Sequence, residues 1–256
     1  MSIKRIFPIF ALLIVASISI TACSPKTAPD QPASTPTEKP SAQPTVNPFN
    51  PSSLGDCYNP FNPVMEGKVW KYAMVSGDIT SALEISYKDV TPSSFTSVQK
   101  FPDISTEVQW TCSPDGILSN QFVNMSIPQV PELTYETLEV KGVVFPKENL
   151  WQVGYSWTTE YLIKVKYTSG DTIFEGEGVV NVANVILAVE PVTAVSGTYN
   201  DAFRVDATGN IKMSIMGAEN TLPITFINWY VRDVGLVKSV STDPTLSYSM
   251  ELTSLE

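Results

Sequence analysis

Tyr161-Leu162-Ile163-Lys164-Val165-Lys166-Tyr167 is the stretch on which the fold turns. Tyr161, Ile163, Val165 and Tyr167 alternate with Leu162, Lys164 and Lys166. A period of two puts the aromatic and β-branched set on one face of an extended strand, buried or lining a groove, with both ammonium groups outside. The same period recurs away from this stretch. Trp70, Tyr72 and Met74 share a face, as do Leu83, Ile85 and Tyr87, while Leu246, Tyr248, Met250 and Leu252 alternate with Ser247, Ser249 and Glu251. No window carries a helical apolar stripe with caps, so any helix is short. Pro92, Pro102, Pro114, Pro128, Pro131, Pro146, Pro191, Pro223 and Pro244 fall between the runs and read as turns or strand ends. The reading from Cys57 to Glu256 is all-β: a curved antiparallel sheet, half-barrel or sandwich, with one face buried and one wet.

Two parts of this region echo each other. Gly67-Lys68-Val69-Trp70 and Gly154-Tyr155-Ser156-Trp157 share their Gly-to-Trp spacing. Trp110 is followed six residues later by Gly116-Ile117-Leu118, and Trp229 six residues later by Gly235-Leu236-Val237. One reading is a β meander used twice, with halves 57–130 and 145–256. The other is that Trp and Gly mark ordinary strand and turn positions.

The front of the chain is an address. Lys4 and Arg5 precede an apolar stretch from Ile6 to Ile20, broken only by Pro8, Ser17 and Ser19 and too short for a stable membrane span. Ile20-Thr21-Ala22-Cys23 then resembles the lipobox of bacterial lipoproteins. That resemblance implies cleavage of residues 1–22 as a signal peptide and acylation of Cys23, with diacylglycerol and palmitate-type chains. The expected location is the cell membrane or outer membrane, facing away from the cytoplasm. Cleavage removes two of the 16 basic residues and none of the 26 acidic ones, so acyl chains rather than charge hold the protein against an anionic leaflet.

Residues 23–56 read as the acylated Cys and a disordered tether of Pro, Thr, Ser, Ala and Gln, too poor in large apolar residues to offset the entropy of ordering. Pro25, Pro29, Pro32, Pro36, Pro40, Pro44, Pro48 and Pro51 favour polyproline II at ~3.1 Å per residue, a reach of up to ~90 Å. Asn47-Pro48-Phe49-Asn50-Pro51 recurs as Asn59-Pro60-Phe61-Asn62-Pro63. Asn-Pro pairs initiate turns, and a Phe between them is placed to pin the turn to the domain.

With Cys23 acylated, Cys57 and Cys112 remain in an exported chain, and a disulfide between them is expected. The chain has no His, which excludes His-based triads and imidazole acid–base chemistry. A net charge of −10 without a basic cluster argues against a nucleic-acid partner. Glu175 and Glu177 flank Gly176, which on a strand sets two carboxylates on one face ~6.5–7 Å apart. That spacing fits an inverting glycosidase pair and equally a wet strand face. No metal-ligand cluster, phosphate loop or nucleophile elbow is present, and no cofactor is expected.

Gly197-Thr198-Tyr199-Asn200-Asp201-Ala202-Phe203-Arg204-Val205, with Trp229-Tyr230-Val231-Arg232-Asp233-Val234-Gly235-Leu236-Val237-Lys238 and the segment from Pro63 to Tyr72, resembles a group of uncharacterised bacterial lipoproteins and secreted β-proteins. The resemblance implies a curved antiparallel sheet similar to the half-barrels of lipoprotein carriers, whose concave face holds acyl chains. It brings no catalytic residues. The expected function is therefore a membrane-anchored, non-catalytic binding or assembly module for an apolar ligand, a lipid or an envelope protein. The alternative is a carbohydrate-acting or other hydrolase that uses carboxylates.

Overall fold

The computed structural model describes residues 53–122, 133–169, 171–215, 217–241 and 248–256. The signal segment, Cys23, the tether up to Ser52, the first Asn-Pro-Phe copy, Pro128, Pro131, Pro244 and Leu246 lie outside them. The described residues form strands β1 (Val69–Ser76), β2 (Ile79–Lys88), β3 (Ser94–Lys100), β4 (Ser105–Ser113) and β5 (Gly116–Ser119). Then come β6 (Leu133–Gly142), β7 (Phe145–Pro146), β8 (Ser156–Ser169), β9 (Thr172–Ala194), β10 (Gly197–Ile215), β11 (Ala218–Val231), β12 (Gly235–Ser241) and β13 (Ser249–Leu255). Short 3-10 turns at Gly55–Cys57 and Glu148–Leu150 are the helical elements among the described residues.

All thirteen strands belong to one antiparallel sheet, in the order β6-β8-β9-β10-β11-β12-β13-β1-β2-β3-β4-β5-β7, which does not close into a barrel. Two five-strand meanders, β1–β5 and β8–β12, are stitched together by β13, which pairs with β12 on one side and β1 on the other. The repeated motifs sit at equivalent places in the two meanders. Trp70 and Trp157 are second residues of their first strands, Trp110 and Trp229 lie on their fourth strands, and Gly116 and Gly235 begin their fifth. Both glycines have positive φ, 144° and 89°, and an added Cβ at Gly116 would run into the Phe145 carbonyl. The halves are not separate bodies, because one ladder of strands runs through both.

The two edges of the sheet are tied by a short crossover. The chain leaves β6 at one edge and enters β7 at the other through Val143 and Val144. Val144 N donates to Ile117 O on β5 at 2.8 Å, and Thr159 Oγ1 on β8 donates to Val143 O at 2.6 Å. The sheet therefore curls until its inner faces meet. Trp70, Tyr72 and Leu83 of the first meander pack with Tyr199, Val231 and Val237 of the second.

The prolines correct one expectation. Pro191 lies within β9, Pro223 within β11 and Pro146 in β7, not between strands. The register between Tyr199↔Val192 and Ala202↔Glu190 skips Pro191, so the ring occupies a β-bulge where no ladder bond is needed. β11 pairs with β12 only from Phe226 onward, so Pro223 sits where the strand has a single neighbour, Asn210 on β10.

The second Asn-Pro-Phe copy works as a peg. Asn59 Nδ2 donates to Pro146 O at 2.8 Å, and its Oδ1 accepts from Phe61 N at 2.9 Å, closing an Asx turn. Asp233 N donates to Pro60 O at 2.7 Å. The Phe61 ring stacks on Trp151, centroids 4.0 Å apart, within a cluster that includes Ile186 and Val205. Beside it, a disulfide joins Cys57 to Cys112 on β4, with Cα atoms 5.0 Å apart, among Leu54, Phe95 and Ile117.

Candidate functional site

Where the inner faces of the two meanders meet, they leave a cavity of about 320 Å³, near the lower end of the small-molecule range. Strand register builds its walls row by row. On one side Trp70, Ile85 and Gln99 lie opposite one another across β1, β2 and β3, Tyr87 faces Ser97, and Trp110 faces Ser119. On the other, Trp157, Asn184, Ala207 and Phe226 form one row across β8 to β11. Asn62 and Pro63, from the Asn-Pro-Phe peg, also contribute to the wall.

Among the described residues, no Asp, Glu, Lys, Arg or Cys lines this cavity. Four of the five tryptophans do, and each spends its indole N–H on the protein. Trp70 Nε1 donates to Val234 O at 2.7 Å, Trp110 Nε1 to Ser97 Oγ at 2.9 Å, and Trp151 and Trp157 Nε1 to the Pro146 and Val144 carbonyls at 3.1 Å each. What they turn to the cavity is aromatic surface. Trp229 lies elsewhere and donates to Glu190 Oε1 at 2.9 Å.

The polar groups divide into paired and unpaired. Tyr72 OH donates to Leu236 O at 3.0 Å, and Tyr87 OH to Asn62 Oδ1 at 3.3 Å. Burial raises the phenol pKa of Tyr72, Tyr87 and Tyr230 above the ordinary value. It pushes Tyr161 up to about 12, with a hydrogen bond to Ser119 opposing it. Asn62 Nδ2 and Gln99 Oε1, both buried in the wall, have no hydrogen-bond partner among the described residues. Each such buried orphan costs about 1–3 kcal/mol.

The sequence-derived face on β8 divides along its length. Tyr161 is buried and lines the cavity. Ile163 and Val165 are buried too, but in an apolar cluster with Val180, Ile211 and Ile224 rather than in the cavity wall. Tyr167 is 37% exposed, stacked on Phe174 near the β8–β9 turn, where the hairpin runs past the packed layer. Lys164 and Lys166 lie on the other face. Lys164 Nζ is 2.8 Å and Lys166 Nζ 3.7 Å from Glu175. The Lys164 hydrogen bond holds the Glu175 carboxyl below the usual range, so this carboxylate belongs to a cross-strand ion ladder away from the cavity.

The sequence reading did not pick out Ser97, Gln99, Asn184 and Asn228, because alternation assigns polar residues to solvent. Phe95, buried and in phase with Ser97 and Gln99, is the signal that this face of β3 points inward. A second, more open cleft near Tyr58, Glu148 and Arg232 carries charge, but Arg232 Nη2 is already bound to Glu148 Oε1 at 2.6 Å and lies over the Phe61 ring.

No family model matches the chain, and no curated protein does. Among solved structures it is similar to a candidate exported protein with YmcC-like fold from Bacteroides fragilis NCTC 9343, at 14% identity and a TM-score of 0.50, over 77% of this chain and 98% of that one. A candidate lipoprotein from Parabacteroides distasonis ATCC 8503 matches at 17% identity and a TM-score of 0.48, over 77% and 98%. At this identity the likeness to the Bacteroides protein is one of fold.

Proposed function

We propose that this protein is an exported, lipid-anchored binding module that holds an uncharged small molecule between its two meanders. One observation carries the reading: the cavity is walled by four tryptophans and by amide and hydroxyl side chains, with no ionisable group except tyrosine among the described residues. Buried aromatic surface supplies affinity at roughly 25 cal/mol per Å² covered, and a few polar groups fix orientation. The serine, threonine and tyrosine hydroxyls of the wall have no carboxylate, amine or thiol beside them among the described lining residues to activate them, which favours binding over acid–base or nucleophilic chemistry. The carboxylate of Glu175 serves Lys164 and Lys166 instead.

The anchoring half rests on the lipobox at Ile20-Thr21-Ala22-Cys23. The name of the Bacteroides fold neighbour, an exported protein, agrees with the export that the lipobox implies. Among the described residues no helix is long and apolar enough to cross a membrane. Native mass spectrometry of gently extracted, acylated full-length protein tests both halves. A co-purifying neutral adduct and a diacylglyceryl mass on Cys23 are expected. An unmodified Cys23 would remove the anchor, and failure of every neutral probe to quench the cavity tryptophans would remove the binding site.

A further inference from the structure

We propose that the ligand is a hydroxyl-bearing neutral ring, of the class of an uncharged glycoside, and neither a fatty acid nor a hydrocarbon. The proposal rests on the cavity being a binding site, and it is carried by the two orphaned amide atoms. Asn62 Nδ2 can only donate, and Gln99 Oε1 can only accept. The other functional atom of Asn62 is already engaged, since Oδ1 accepts from Tyr87 OH at 3.3 Å. Gln99 is 6% exposed, held on β3 between Ile85 and Thr106. A ligand that satisfies both atoms must offer an acceptor and a donor, and a hydroxyl group is both.

The alternatives fail on the same residues. A hydrocarbon leaves both amide atoms unpaired. A fatty acid brings a carboxylate into a wall with no Lys or Arg among the described residues, where its charge meets no counter-ion. A ring with hydroxyls on its rim and C–H bonds on its faces suits the rest of the wall. The tryptophans there have no N–H left to give and present only aromatic surface. Ser97, Ser119, Thr159, Asn184 and Asn228 distribute further polar groups around it.

The test titrates full-length protein in lipid nanodiscs with three probes, read by tryptophan fluorescence and calorimetry. They are neutral phenyl pyranosides of several stereochemistries, phenyl glucuronide (the same architecture with one carboxylate) and ethylbenzene. A phenyl pyranoside should bind saturably, with the glucuronide about tenfold weaker or more. Gln99→Leu should weaken the pyranoside about tenfold while leaving ethylbenzene unchanged, and should raise the denaturation midpoint of the ligand-free protein, because it deletes an orphan rather than a bond. Equal binding of the glucuronide, or a Gln99→Leu variant that binds the pyranoside normally, overturns the assignment of ligand class. Ethylbenzene binding without pyranoside binding also overturns it, yet leaves the cavity as a binding site. If no probe binds, the binding site itself falls.

Discussion

Trp70 Nε1 donates to the carbonyl oxygen of Val234 at 2.7 Å, a bond between residues 164 positions apart. It joins the first strand of one meander to the hairpin that closes the other, and Trp70 is buried where it does so. Trp70→Phe keeps most of the apolar volume and strands the Val234 carbonyl. A loss of about 1–3 kcal/mol is expected, read as a lower urea midpoint with cooperative unfolding retained. An unchanged midpoint would mean that water replaces the indole there.

The Cys57–Cys112 bridge closes a 55-residue separation across buried surroundings. In the chain-entropy model such a loop contributes about 4 kcal/mol. The double variant Cys57→Ala/Cys112→Ala should therefore lose stability on that scale in urea. It should also lose the mobility difference between reducing and non-reducing gels.

Tyr161 makes stability pH-dependent in the alkaline range. Its folded-state pKa, about 12, lies above the ordinary 10.0, so folding favours the protonated phenol. Below pH ~10 both states keep the proton and the contribution is complete. Between ~10 and ~12 the unfolded chain ionises first, and stability falls by about 1.4 kcal/mol per pH unit. Tyr161→Phe should flatten this part of the slope, measured as the difference in urea midpoint between variant and wild type at successive pH values.

Gly209 on β10 pairs with Val182 on β9, and an added Cβ would collide with the carbonyl oxygen of the preceding residue, Asn181. Gly209→Ala must push two paired strands apart, whereas Gly77→Ala has open space and only a positive φ, 57°, against it. The first should cost more than about 2 kcal/mol and the second about 1 kcal/mol, by thermal or urea unfolding. Reversed sensitivities would contradict the β9–β10 register.

Neighbours on β8 should behave oppositely. Ile163→Ala opens a hole in a fully buried cluster and should cost about 2–5 kcal/mol. Lys164→Ala breaks an exposed pair with Glu175 and should cost under about 1 kcal/mol. Because Ile163 does not line the cavity, a folded Ile163→Val variant should bind ligand normally, whereas Tyr161→Ala should not.

Much of this architecture was legible in the sequence, for an identifiable reason. Alternation is a local code, and Trp70 with Tyr72, or Ile163 with Val165, obey it because one face of their strand is dry. The paired Gly and Trp spacings mark equivalent strand positions because the hairpin from fourth to fifth strand is built alike twice. The code fails where a buried face is polar. Ser97 and Gln99 point inward, and only the strands that face them across the curl show it, which is information at long range. It fails also at Pro191 and Pro223, where a bulge and a one-sided stretch let a strand run through a residue that ordinarily ends one. Tyr167 keeps the alternation but outruns the packing.

The stitching strand sets an order of events. β1 is made early, yet one of its two partners, β13, begins about 170 residues later at Ser249. Until that segment has emerged, the first meander holds an unpaired edge and the second has nothing to join it to. Assembly of the full sheet is thus deferred until β13 has emerged, as expected for contacts of such long sequence separation. The two walls of the cavity belong to different meanders, so the closed cavity is a late product of folding, and it comes only with the last strand.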